Sequence, residues 1–131
     1  MRSTVAQEDL NTLPIIDHSS APEPKTIGKR SVRSLVSGEH GAKTLTIKEV
    51  VIHPGFEGRL HTHSTEKVIM VISGSVQMLV GEEVRTVRSG STLLAPAGVP
   101  HKLVNNTWVP ALTHVIYPTQ HLESQFLDQG R

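Results

Sequence analysis

The sequence predicts a single all-β domain of the sandwich or barrel type. Short apolar and β-branched runs succeed one another along most of the chain, and no segment with helical periodicity separates them. Turn residues such as Ser73-Gly74 and Ser89-Gly90 lie between the runs. Strands of this length and spacing are typical of small β-sandwiches and barrels. The predicted strands cover residues 32–36, 42–52, 67–72, 76–80, 83–87, 92–94, 101–104 and 111–117.

Chain length and composition predict how this domain is bounded. The 131 residues suffice for one domain and are too few for two. Residues 1–30 carry several prolines and little periodicity, so we expect an N-terminal arm. Residues 31–120 are predicted to form the barrel, and 121–131 a C-terminal tail with a short helix. The sequence has no cysteine, which excludes disulfides, thiolate zinc sites and thiol nucleophiles.

Charge and hydropathy narrow the expected partners. Lys and Arg (13) balance Asp and Glu (12), and the aromatic content of 3% provides no stacking surface for single-stranded nucleic acid. No segment approaches the ~20 apolar residues of a membrane span, and residues 1–13 lack the apolar core of a signal peptide. We therefore expect a cytoplasmic protein without nucleic-acid or membrane partners. The run 68–72 is apolar on both strand faces, which favours a homodimer.

The eight histidines are the unusual feature of the composition. His61 and His63 are two residues apart, so on a strand both side chains point to the same face. His101 follows the turn sequence Pro96-Ala97-Gly98-Val99-Pro100. Two inward histidines are costly to bury without partners. Three imidazoles form a set that binds a divalent transition metal such as Fe, Mn, Ni, Zn or Cu, with coordination positions left open.

The spacing of these residues resembles the two motifs of the cupin superfamily, G-x5-H-x-H-x(3,4)-E-x6-G and G-x5-P-x-G-x2-H-x3-N. The first is matched at Gly55, His61, His63 and Gly74. The second is matched in full by Gly90, Pro96, Gly98, His101 and Asn105. With the flanking strands, the resemblance covers about three quarters of the chain. It implies a double-stranded β-helix (jelly-roll, cupin) barrel with a pocket at one open end.

One position departs from the motif. Lys67 lies seven residues before Gly74, where the family usually has its metal-binding glutamate. Strand alternation places Lys67 inward with the histidines and Glu66 outward. The first alternative is a three-histidine metal centre, as in the thiol dioxygenase and diketone-cleaving cupins. The second is a metal-free pocket in which Lys67 binds an anion or transfers protons. The third is a β-bulge that turns Glu66 inward.

Two functional classes remain open from the sequence. The first is a metal-dependent enzyme (a dioxygenase, isomerase or lyase) acting on a small organic molecule, with Lys67 and His114 as candidate catalytic residues. The second is a metal-free or non-catalytic module that binds a small anion or sugar. The fold does not distinguish between the two classes, because this type of barrel supports many chemistries.

Overall fold

A computed structural model of the chain describes residues 13–127. In this range the protein forms eleven β-strands and two short 3₁₀ helices, His18–Ser20 and Gly38–His40. The strands are β1 Lys25–Ile27, β2 Arg30–Val36, β3 Thr46–Ile52, β4 His61–His63, β5 Lys67–Ser73, β6 Ser75–Val80, β7 Glu83–Arg88, β8 Thr92–Ala95, β9 His101–Val104, β10 Ala111–Tyr117 and β11 Ser124–Phe126. No helix within the described range is long and apolar enough to cross a membrane.

The strands form two antiparallel sheets. The six-stranded sheet has the order β1-β2-β3-β10-β5-β8, and the five-stranded sheet has the order β11-β4-β9-β6-β7. Strands that follow one another in sequence are mostly not neighbours, because the chain crosses repeatedly from one sheet to the other. This arrangement confirms the predicted all-β jelly-roll barrel.

The two ends of the described chain differ from the expectation. Strand β1 lies inside the segment predicted as an arm, where it pairs with β2 through the register Lys25↔Val32. The helix predicted over residues 121–127 is wrong, because Ser124–Phe126 forms a strand. Its extended backbone pairs with β4, with Ser124 opposite His63, so the main-chain polar groups are satisfied by the sheet and not by a helix.

The hydrophobic core lies between the two sheets. Strand alternation turns Val50 and Ile52 of β3 towards the interior. Ile69 and Val71 of β5 point to the same inner face of this sheet. Met78 of β6 closes the core from the opposite sheet and is fully buried. Each of these side chains contributes about 1.5–3 kcal/mol relative to an exposed position. Val50, Ile52, Ile69 and Met78 also line a cavity between the sheets.

Two motif residues hold the loops around the core. Gly74 has φ +80°, and a Cβ there would lie 2.7 Å from the Pro110 carbonyl oxygen, so only glycine fits. Asn105 is fully buried and donates from Nδ2 to the Ile52 and Val109 carbonyl oxygens, at 2.9 and 3.0 Å. Its Oδ1 accepts from the Thr107 backbone N–H at 2.9 Å. Asn105 therefore fixes the loop that follows β9.

Candidate metal centre and barrel cavity

Three histidines converge on the five-stranded sheet. His61 and His63 come from β4, and His101 begins β9 and pairs in register with His61. The ring centroids are 4.5 Å apart for His61–His63, 4.4 Å for His61–His101 and 5.0 Å for His63–His101. One nitrogen from each ring lies within 4.8 Å of the other two. We call these three residues the histidine triad.

Hydrogen bonds orient each ring of the histidine triad. Nδ1 of His61 lies 2.6 Å from the Arg59 carbonyl oxygen, and Nδ1 of His101 lies 3.0 Å from that of Val99. A carbonyl only accepts, so Nδ1 of each of these two rings carries a proton, and in neutral His101 the Nε2 lone pair is then available to a ligand. Nδ1 of His63 lies 2.9 Å from the Ser124 hydroxyl. Such outer contacts are those that fix the tautomer of metal-binding histidines.

Burial keeps two of the rings neutral. It lowers the pKa of His63 to about 3, with smaller effects from Lys67 and the two neighbouring histidines. Burial also lowers the pKa of His101 to about 4, against the opposing effect of its hydrogen bond to Val99. Both imidazoles are therefore unprotonated near neutral pH, which is the form that binds metals.

One buried nitrogen points to a missing partner. Nε2 of His101 is buried and has no hydrogen-bond partner among the described residues. Such orphaned groups are rare in folded proteins. Nε2 of His63 lies 3.0 Å from Nε2 of His61, so the ligating nitrogens of the triad face one another. Three converging imidazoles with engaged Nδ1 atoms fit a divalent transition metal and leave positions open for other ligands.

Two residues of the histidine triad, His63 and His101, line a cavity of about 300 Å³ between the two sheets. Most of its wall is apolar, and both sheets contribute polar side chains to it. The lining residues are Arg30, Val32, Lys48, Val50, Ile52, Phe56, His63, Lys67, Ile69, Met78, His101, Leu103, Thr113, Val115, Tyr117, Leu122, Ser124 and Phe126. The cavity is thus open to a small molecule and adjoins the candidate metal ligands.

Lys67 lies in this cavity, and Glu66 is exposed. The pairing of β5 with β8 runs without interruption from Lys67↔Ala95 to Met70↔Thr92, so no bulge turns Glu66 inward. Burial, with smaller effects of the nearby charges of Arg30 and Lys48, lowers the pKa of Lys67 to about 8. Lys67 thus occupies the inward position that strand alternation predicts.

His114 lies outside the cavity. Its neighbours Thr113 and Val115 on β10 line the cavity, so alternation turns His114 to the other face of the sheet. There its ring centroid is 6.5 Å from that of His18. A catalytic role for His114 in this cavity is therefore not supported by the geometry.

Several cavity residues were missed from the sequence. Lys48 shares strand parity with the buried Val50, a signal that predicts an inward side chain. Arg30 lies two residues before Val32, which also lines the cavity, so strand alternation is the signal that could have placed it there. Ser124 gave no comparable signal, because its position depends on the pairing of β11 with β4.

Sequence comparison assigns the family. The profile of the Cupin domain family (Cupin_2) matches residues 48–117, which include the whole histidine triad. The chain belongs to this family. A mannose-1-phosphate guanylyltransferase from Salmonella muenchen is 30% identical over 73 residues, covering 54% of this chain and 15% of that protein. The chain thus spans a small part of the length of this relative.

Solved structures share the fold. The polyketide cyclase RemF from Streptomyces resistomycificus matches with a TM-score of 0.79 at 18% identity, covering 88% of this chain and 86% of that chain. A sugar phosphate isomerase of the cupin superfamily from Silicibacter pomeroyi matches with a TM-score of 0.70 at 23% identity, covering 88% and 82%. Oxalate decarboxylase from Bacillus subtilis, which has Mn(II) centres, matches with a TM-score of 0.70 at 25% identity, covering 83% and 31%.

Proposed function

We propose that the protein is a metal-dependent enzyme that acts on a small organic molecule inside the barrel. The observation that carries this proposal is the convergence of three imidazole nitrogens, one of them buried without a partner, beside a cavity of about 300 Å³. Pockets of this size lie at the lower end of the range that accepts small molecules. The similar structures include a decarboxylase, an isomerase and a cyclase, which is compatible with an enzymatic role.

In this proposal His61, His63 and His101 hold one divalent transition metal ion, with Fe, Mn, Ni, Zn and Cu as the candidates. The bound ion supplies Lewis-acid chemistry, and redox chemistry where the metal allows it. The chain itself contributes a largely apolar wall that excludes water and the ammonium group of Lys67.

Lys67 favours proton-transfer reactions over oxygen chemistry. Its side chain lines the cavity together with His63 and His101, and burial lowers its pKa to about 8, so the amine is placed to exchange a proton with a molecule bound there. Isomerisation and lyase reactions need such a group, whereas a dioxygenase does not depend on one. We therefore place an isomerase or lyase ahead of a dioxygenase.

The experiment that tests this function compares the metal-loaded and metal-free protein. The chain is purified without an affinity tag, its metal content is measured, and both forms are incubated with a small-molecule extract whose composition is followed by mass spectrometry. We expect one metal per chain and metal-dependent conversion of a small organic compound that is lost in His101→Ala. Protein that takes up no metal at the triad contradicts the proposal.

A second candidate function is a metal-free module that binds a small anion or sugar. The observation in its favour is Lys67, which stands where the family usually has a metal-binding glutamate. The same experiment separates the two candidates, since this module would bind a ligand without converting it and without metal.

We also propose a cytoplasmic homodimer. The outer face of the six-stranded sheet carries an apolar patch in which Val68 lies in register with Leu94 and Ile116. Leu94 is 53% exposed, and an apolar patch of this kind is a candidate for burial in a subunit interface. We expect a dimer by sedimentation, and a monomer at micromolar concentration contradicts this part of the proposal.

A further inference from the structure

We propose that the cavity recognises its substrate through an anionic oxygen group, a carboxylate or phosphate, held by Arg30, Lys48 and Lys67. This inference deepens the proposed function by naming the substrate class, and it rests on a different set of residues from the metal site. We call these three residues the cationic wall.

The cationic wall and the histidine triad face each other across the cavity. Arg30, Lys48 and Lys67 come from β2, β3 and β5, which all belong to the six-stranded sheet. The histidines come from β4 and β9 of the five-stranded sheet. All three cations line the same cavity as His63 and His101. A molecule in the cavity therefore lies between three positive side chains and the candidate metal ligands.

Within the described chain, the cationic wall has no acidic counterion. None of the described residues that line the cavity is Asp or Glu. Glu49, which follows Lys48 on β3, is paired to Arg33 at 2.7 Å, and Glu66, which precedes Lys67, is exposed. Among residues 13–127, the ion pairs of the structure include none of the three cations.

Aromatic rings position two of the cations without neutralising them. The Arg30 guanidinium lies 5.9 Å from the centre of the Phe56 ring, and the Lys48 ammonium lies 5.8 Å from that of Tyr117. Cation–π attraction holds each group, but the net charge of the cavity stays positive. Lys48 and Lys67 are half-buried, and gathering such charges away from water without a partner is unfavourable. An anionic ligand removes this cost, and it is attracted by all three groups at once.

The remaining wall limits the ligand to a small molecule. The space of about 300 Å³ is bounded by apolar side chains such as Ile69, Met78 and Leu103. These residues suit a short carbon skeleton and give no ionic partner to a cationic substrate. A compact carboxylic acid or a small phosphate ester meets both the charge and the volume of the cavity.

The test measures anion binding by calorimetry at pH 7.5 and low ionic strength, with the full chain in metal-free form. The probes are malonate, inorganic phosphate and the neutral analogue malonamide. We expect at least one anion to bind and malonamide to bind at least about tenfold more weakly, as expected when charge-assisted hydrogen bonds are lost. The tighter of the two anions identifies the oxygen group. Rising salt should weaken binding of the wild-type protein, a readout that needs no variant.

Variants then assign the binding to the cationic wall. Lys48→Met and Lys67→Met should each weaken anion binding about tenfold or more. Lys48→Arg should keep most of the affinity. Lys43→Met is the control, because Lys43 is exposed and lies outside the cavity, and it should leave anion affinity unchanged. Equal affinity for malonate and malonamide, or unchanged affinity in both methionine variants, overturns the inference. Anion binding that persists in His63→Ala while metal binding is lost would show that this inference stands separately from the proposed metal chemistry.

Discussion

The two walls of the barrel cavity carry different kinds of polar group. On the five-stranded sheet, the rings of the histidine triad have their Nδ1 atoms fixed by carbonyl oxygens or a hydroxyl. On the six-stranded sheet, the cationic wall has charged groups that rest on aromatic rings or lie in the cavity without an acidic partner in the described chain. One wall thus carries imidazole nitrogens of the kind that bind a cation, and the other carries positive side chains of the kind that bind an anion.

The largest expected effect is the loss of a triad ligand. His63→Ala removes one of three converging nitrogens, so metal affinity should fall by more than the 10–100-fold that the loss of an outer contact costs. Metal titration by calorimetry or competition with a chelator measures the change. His114→Ala is the matched control, because that histidine lies on the outer face. Equal metal affinity in the wild type and His63→Ala would show that the triad is not the metal site.

A smaller effect is expected from the contact that orients His63. Ser124→Ala removes the hydroxyl 2.9 Å from Nδ1 of His63, and metal affinity should fall about 10-fold. Ser124→Thr keeps a hydroxyl and should retain most of the affinity. Gln125→Ala, at the neighbouring position on β11, tests whether any change in this strand has the same effect. If Ser124→Ala and Gln125→Ala behave alike, the hydroxyl does not position the ring.

The next prediction concerns Lys67, which stands where the cupin motif has a glutamate. Lys67→Glu removes a positive charge near the triad and places a carboxylate in the cavity, so it should tighten metal binding about tenfold. Glu66→Gln should do little, because Glu66 is exposed. The same titrations measure both variants. Unchanged affinity in Lys67→Glu together with lost affinity in Glu66→Gln would mean that the two side chains have exchanged places.

The last prediction concerns the pH dependence of stability and not ligand affinity. His63 and His101 have folded-state pKa values of about 3 and 4, below the ordinary value of 6.5. Between pH 6.5 and pH 4 these histidines bind protons in the unfolded chain but not in the folded protein. The free energy of unfolding should therefore fall as the pH is lowered through this range. Urea denaturation of the metal-free protein measures this slope. The slope should be shallower in His63→Ala, and an identical slope in both proteins would show that His63 is not buried in its neutral form.

Much of the fold was predictable because strand alternation is a local property. Lys67 was placed inward by its parity with the histidines, and Gly74 and Asn105 marked the loops that fix the sheets. The strand at residues 124–126 was not predictable, since this short exposed segment becomes a strand only through pairing with β4. His114 was assigned to the pocket because its strand was identified without its facing direction. Arg30 and Lys48 were not predicted as cavity residues, because charged side chains usually lie at the surface; Arg30 is exposed, yet both side chains line the cavity.

An anomalous difference map of crystals grown from metal-loaded protein tests most directly whether the histidine triad binds a metal. We predict one strong peak at ~2.0–2.3 Å from an imidazole nitrogen of each of His61, His63 and His101. A bound anion between this peak and Lys67 would link the two walls. A map with the metal elsewhere, or with His61 or His63 turned to solvent, would contradict the claim.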